Sequence, residues 1–181
     1  HSDDNHQHVV ICHKKSYEFV MEEDDDNYAL ESVMLGRRQS RPAVHGVLKN
    51  NDGEPLVRIL GVHLKAFPNE SATRLKQAKE ISKHLNSRED GLPVKITGDF
   101  NTYEGSGNTH DDVVKISRIF EKNDLQFVGN RDQYTYRNKY QAGTFDHFWV
   151  SSEIAGPEAH SYSACQRYDN QNEYFKNTDY Y

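Results

Sequence analysis

The chain has 181 residues, 22 Lys+Arg against 28 Asp+Glu and a formal net charge of −6, a length that suits one domain with a sizeable core. Only 35% of the residues are hydrophobic and mean hydropathy is −0.94, so the core comes from few apolar runs, none of which approaches the roughly 20 apolar residues that span a membrane. Eleven Tyr and eight Phe argue against wholesale disorder, and the acidic balance excludes attachment to nucleic acid by bulk charge alone while leaving room for a nuclease with a bound cation.

Four histidines fall in the first 13 positions (His1, His6, His8, His13), without the spacing of a zinc ligand set, and read as a frayed loop. Val9 to Cys12 reads as a strand, with Ser16 to Val20 as its hairpin partner. Glu22 to Asp26 is an acidic run without the glycine or spacing of a calcium loop, hence a solvated turn. Tyr28 to Leu35 returns to strand character. Gly36 to Pro42 is a loop with three arginines, Arg37, Arg38 and Arg41, equally suited to a plain surface or to a phosphate-bearing ligand.

Ala43 to Lys49 and Leu56 to Leu64 flank an Asn-Asn-Asp-Gly turn and predict a β-hairpin. The second run is nearly continuous in apolar residues, as in a strand covered on both faces. Ser71 to Leu85 carries Leu75, Ala78 and Leu85 near one face, with Ile81 close by, and predicts a helix. Val94 to Thr97 is a short strand running into Gly98-Asp99-Phe100-Asn101. Asp111 to Lys122 predicts a second helix with two carboxylates at its positive N-terminus. Leu125 to Val128 and Phe145 to Val150 are strands, with an extended piece at Thr135-Tyr136. Helices between strands predict a single α/β domain. Cys12 and Cys165 could pair or stay free.

Three apolar strands end in polar groups, which suits strands that open onto a cleft. One carries His63, one delivers Asp99 and Asn101, and one carries Asp146 and His147. Asp99 and Asn101 point the same way in extended backbone. Together they suit phosphate chemistry, a carboxylate to orient or deprotonate water and an amide to hold an oxygen or fix the carboxylate; an ordinary turn is an equal alternative. His63 could donate to a negatively charged phosphoryl oxygen or be a satisfied core histidine. Asp146 could orient a histidine elsewhere or bond local amides.

Taken together, these residues resemble the endonuclease/exonuclease/phosphatase superfamily, which includes pancreatic-type deoxyribonucleases, apurinic endonucleases, sphingomyelinases and inositol polyphosphate 5-phosphatases. Gly98-Asp99-Phe100-Asn101 is similar to its GDFN signature, and Val62-His63-Leu64-Lys65 to its VHLK strand end. Arg74 and Gln77 sit where its next helix often carries these residue types. Thr135-Tyr136 and Phe145 to Ser151 are similar to its TY and IDYILVS elements. The resemblance, running from about Arg41 to Ser152, implies a four-layered α/β sandwich of two mixed β-sheets flanked by helices. It also implies a metal-activated water, usually with Mg²⁺ or else Mn²⁺, attacking a phosphoester, nucleic acid foremost. By carry-over Asp99 acts on the water and binds metal, Asn101 binds phosphate, metal or the carboxylates, His63 contacts a phosphate oxygen and Asp146 orients a catalytic histidine. Arg41, Lys65 and Tyr136 are further phosphate-binding candidates. The family's metal-binding Glu and its Ser-Asp-His motif are not found among the 181 residues; Thr178-Asp179-Tyr180 is the nearest string. Residues 1–181 are therefore expected to form one such domain lacking its N-terminal strand and its C-terminal Ser-Asp-His segment. A phosphatase or sphingomyelinase of the same superfamily, or a non-catalytic phosphate-binding module, are the alternatives.

Overall fold

The computed structural model describes residues 9–22, 29–35, 40–102, 110–128, 135–137 and 142–155. Its centre is the hairpin of β3 (Ala43–Lys49) and β4 (Pro55–His63). The turn is built by Asn50, whose Oδ1 accepts from the amides of Asp52 (3.0 Å) and Glu54 (2.9 Å), and by Gly53 at φ +79°, a conformation glycine adopts without a Cβ clash. The hairpin expected from the sequence is therefore present. It is extended outward by β1 (Glu18–Met21) and the two-residue β2 (Ala29–Leu30), both antiparallel to β3. Two expectations fail here. Val9 to Cys12 is not a strand, and β1 pairs with β3 rather than with that segment. The strand expected over 28–35 begins at Tyr28, outside the described residues; among residues 29–35 only Ala29–Leu30 is extended, and Glu31–Met34 turns into a short 3₁₀ helix that buries Val33.

From β4 the chain crosses through α1 (Ser71–Asn86) to β5 (Val94–Asp99), which lies parallel to β4. After α2 (His110–Phe120), strand β6 (Leu125–Val128) forms the far edge, and the chain returns as β9 (Asp146–Ser151) between β5 and β6, antiparallel to both. The resulting sheet has seven strands in the order β1-β3-β4-β5-β9-β6, with β2 beside β3. The pair β7 (Tyr136–Arg137) and β8 (Ala142–Gly143) is a separate ribbon.

Alternation along the strands decides which side becomes the core. Leu60, Val62, Ile96, Leu125 and Trp149 join Ala78, Ile81 and Leu85 of α1 and Val113, Ile116 and Phe120 of α2 in one buried cluster. Trp149 is fully buried, with the rings of Phe100, Phe127 and Phe120 at 4.4, 5.2 and 5.4 Å, and its indole N–H reaches Ser117 Oγ. The opposite face carries Val44, Leu48, Val57, Ile59 and Phe148, all half-buried. Val9 and Ile11 lie over part of it: a Cβ on Gly61 would sit 3.0 and 3.2 Å from their side chains. The architecture is α/β, a mixed sheet layered with helices. The second large sheet of the expected four layers is not among the described residues. No helix among them is long and apolar enough to cross a membrane, and Cys12 is an exposed free thiol.

Candidate active site

The parallel register of β4 and β5 places His63 beside Asp99, and the antiparallel register of β5 and β9 places Asp99 beside Asp146. Three of the residues singled out from sequence thus stand in one row across three adjacent strands, at the sheet edge where β4 and β5 end. Ligands of α/β sheets bind outside such carboxyl ends. The row faces away from the helices, because its members alternate with the core residues Val62, Phe100 and His147.

Each residue of the Gly98–Asn101 segment has its own physical reason. Gly98 adopts φ +137°, and a Cβ there would meet the Val62 carbonyl oxygen at 2.0 Å, so only glycine permits β4 and β5 to run this close. Phe100 is fully buried and anchors the segment in the core, while its amide donates to the Phe145 carbonyl at 2.7 Å. Asn101 bends the chain with φ +49°, a left-handed conformation that Asn tolerates better than most residues. Its amide nitrogen donates to Asp99 Oδ1 at 2.8 Å, and its side-chain Nδ2 donates to the Leu64 carbonyl at 3.0 Å. Asn101 thereby ties the loop after β5 to the loop after β4 through its side chain and fixes one oxygen of Asp99 through its backbone amide.

Asp99 Oδ2 lies 3.6 Å from His63 Nε2, too far for a direct hydrogen bond. Burial pushes the Asp99 carboxyl up to about 6; the Asp146 carboxylate adds to this, while the Asn101 amide and Arg41 oppose it. Burial, reinforced by the Arg41 guanidinium, lowers the His63 imidazole to about 4. At neutral pH the pair is therefore a carboxylate beside a neutral imidazole, not an ion pair. Arg41 is itself half-buried. Burial lowers its pKa and Asp99 acts in the opposite direction, which puts a cation within electrostatic reach of the row.

Asp146 is exposed and does not follow the reading of a carboxylate buried among local amides. Its own amide, with that of Phe145, donates to the Thr135 hydroxyl at 3.0 and 2.9 Å. Thr135 thus fixes the start of β9. Beneath the row, the Thr102 hydroxyl bonds His147 Nε2 and the Thr144 carbonyl. Lys65 is buried in the loop after His63, its amide bonded to Gln77 Oε1 at 2.8 Å. Tyr136 lies in β7, apart from the main sheet. Arg37 and Arg38 fall outside the described residues. Sequence reasoning singled out His147 with Asp146 but missed Thr102, its partner, and the double-acceptor role of Thr135; only the Thr-Tyr pairing in the sequence pointed toward the last. Among the described residues no group of three or more His, Cys, Asp or Glu could hold a metal ion.

No family model and no curated protein matches the chain. Solved structures do. A humanized D. rerio TDP2 carrying 14 mutations superposes with a TM-score of 0.54 at 16% identity, over 78% of this chain and 55% of that one. D. rerio TDP2 complexed with a single-strand DNA product gives 0.49 at 15%, over 78% and 54%. An endonuclease/exonuclease/phosphatase family protein from Bacteroides thetaiotaomicron gives 0.43 at 19%, over 76% and 52%. The chain spans about half the length of these structures. The chain shares its fold with the humanized D. rerio TDP2.

Proposed function

We propose that this chain carries the catalytic edge of a phosphoester hydrolase, most simply a phosphodiesterase acting on nucleic acid through a metal-activated water. The observation that carries the reading is the row of His63, Asp99 and Asp146 with Arg41 in reach. Asp99 Oδ1 is held by the Asn101 amide, so Oδ2 is the oxygen left to take a proton from water. Without a bound cation the Asp99 carboxyl is poised near 6, a stronger base than an ordinary aspartate and still ionised at neutral pH. His63, neutral above about 4, donates an N–H to a phosphoryl oxygen rather than a proton to the leaving group. Arg41 offsets the charge that accumulates on the phosphoryl oxygens.

The donors at this edge are oxygen atoms, the type that Mg²⁺ and Mn²⁺ take, and a cation would relieve the repulsion that Asp146 exerts on Asp99. Asp99, with Asn101 Oδ1 as a further oxygen, would hold it. When bound, the ion would polarise the water and the phosphoryl group.

In the full-length protein, Asp99→Asn keeps the shape of the side chain and removes the base. Turnover of a plasmid or of a chromogenic phosphodiester in Mg²⁺ should drop by about 10²–10⁴, and EDTA should abolish it in the unaltered protein. Near-normal turnover in either case overturns the assignment. Tight binding of a phosphorylated ligand with no hydrolysis by the unaltered protein would make this a binding module instead.

A further inference from the structure

Beyond His63 the chain does something the reaction above does not use. Phe67 has φ 81° and ψ 139°, a conformation that glycine adopts freely and that costs a residue with a side chain about 1–3 kcal/mol. The residue is 57% exposed, so packing within the chain does little to offset that cost. The strain is held in place from below. Arg74, fully buried, donates through Nη1 to the carbonyls of Lys65 (3.0 Å) and Phe67 (2.7 Å), and the Glu70 amide donates to the same Phe67 oxygen at 3.1 Å. Arg74 is fixed in turn by Asp112 Oδ2, through Nε at 2.9 Å and Nη2 at 2.7 Å. The other oxygen of Asp112 takes the Ser71 hydroxyl. The Lys65 ammonium stands 6.0 Å from the centre of the Phe67 ring.

A buried ion pair on two helices thus holds a short lip on which one aromatic ring stands in solvent. That lip is tied to the site: Asn101 Nδ2 holds Leu64 O and the Leu64 amide donates to Asp99 O at 2.8 Å. A ring held rigid before a ligand arrives loses little freedom on binding, and an exposed planar face with one cation beside it suits the stacking of a base. The surroundings disfavour a lipid contact, because Asn69 and the acidic Glu70 follow within three residues, where membrane-seated segments present a continuous apolar face with cations.

We propose that Phe67, with Lys65 beside it, is a subsite that stacks a base of single-stranded nucleic acid next to the reacting phosphate. The subsite rests on the phosphodiesterase reading for the position of that phosphate, and binding and hydrolysis test the two separately. The full-length protein is titrated in EDTA, without turnover, with a single-stranded oligonucleotide containing 2-aminopurine and with an abasic oligonucleotide of the same length. The unaltered protein should prefer the base-bearing strand and change its fluorescence. Phe67→Gly should weaken that strand by about 5–100-fold, leave the abasic strand within about twofold, and melt no lower than the unaltered protein, because glycine relieves the strain. Phe67→Trp should restore the preference. Equal affinity of the unaltered protein for the two strands, equal loss on both, or a lower melting temperature for Phe67→Gly would each overturn the subsite. Loss of binding to anionic vesicles instead would assign the ring to a membrane. Absence of hydrolysis in Mg²⁺, with the base preference intact, would sink only the phosphodiesterase reading.

Discussion

At the scale of single residues, His63 and Asp99 are displaced in opposite directions, and this has a signature in stability. Asp99 rises from 3.8 to about 6 in the folded chain. Between those values the folded state holds a proton that the unfolded state has released, so the Asp99 contribution declines as pH rises. His63 falls from 6.5 to about 4. Between those values the unfolded state holds a proton that the folded state lacks, so the His63 contribution grows as pH rises. From about pH 4 to 6 the two slopes oppose one another and the pair contributes little net pH dependence. Removing one partner uncovers the other. In cation-free protein, urea midpoints for Asp99→Asn should climb relative to the unaltered protein from pH 4 to 6, and those for His63→Gln should fall over the same range. Parallel pH profiles for all three proteins would show that the two groups do not titrate as described.

At the scale of elements, the ends of β4 and β5 are joined by contacts of unequal tolerance. Gly98→Ala drives a Cβ into the Val62 carbonyl at 2.0 Å. Backbone meets backbone there, and we expect a loss of at least about 2–3 kcal/mol in denaturant unfolding. Asn101→Gly keeps the left-handed bend and loses one hydrogen bond, about 1 kcal/mol; a larger loss there than at Gly98 would reverse the assignment. Behind this edge, Arg74→Met leaves the Asp112 carboxylate buried without its partner, which should cost about 3–5 kcal/mol, and adding Asp112→Leu should recover most of it. If the double variant is no more stable than Arg74→Met, the pair is not the source of the cost. The four-residue segment Gly98–Asn101 was legible in the sequence because each position is dictated by its own backbone and its nearest strand. The hairpin and both helices were legible for the same reason, through turn chemistry and apolar spacing. The partners of Arg74, Thr102, Thr135 and His147 were not, since they lie between 7 and 45 residues away and no local pattern encodes such pairings. The misplaced partner of β1 has the same origin: Phe19 and Val20 alternate as any edge strand does, and only the fold selects Leu48 and Val47 opposite them.

At the scale of the whole molecule, the sheet is asymmetric. Its helix face is closed by one continuous cluster, whereas Val44, Leu48, Val57, Ile59 and Phe148 on the other face are only half-buried, with Val9 and Ile11 over Gly61. A patch of this kind on a central sheet favours association. The sandwich expected from the sequence would place a second sheet there, and we carry forward as a proposal that the expected N-terminal strand and C-terminal Ser-Asp-His segment complete it. Ile59→Ala measures it directly, because the cost of deleting a buried side chain depends on what covers it. In a full-length protein whose second sheet packs on this face, the substitution should cost about 2–5 kcal/mol. In residues 1–181 alone it should cost under about 1 kcal/mol, and that fragment should self-associate in sedimentation and bind a hydrophobic dye. Equal costs in the two proteins would mean that nothing further packs on Ile59, and the sandwich would then have to be abandoned in favour of a single sheet with one covered face.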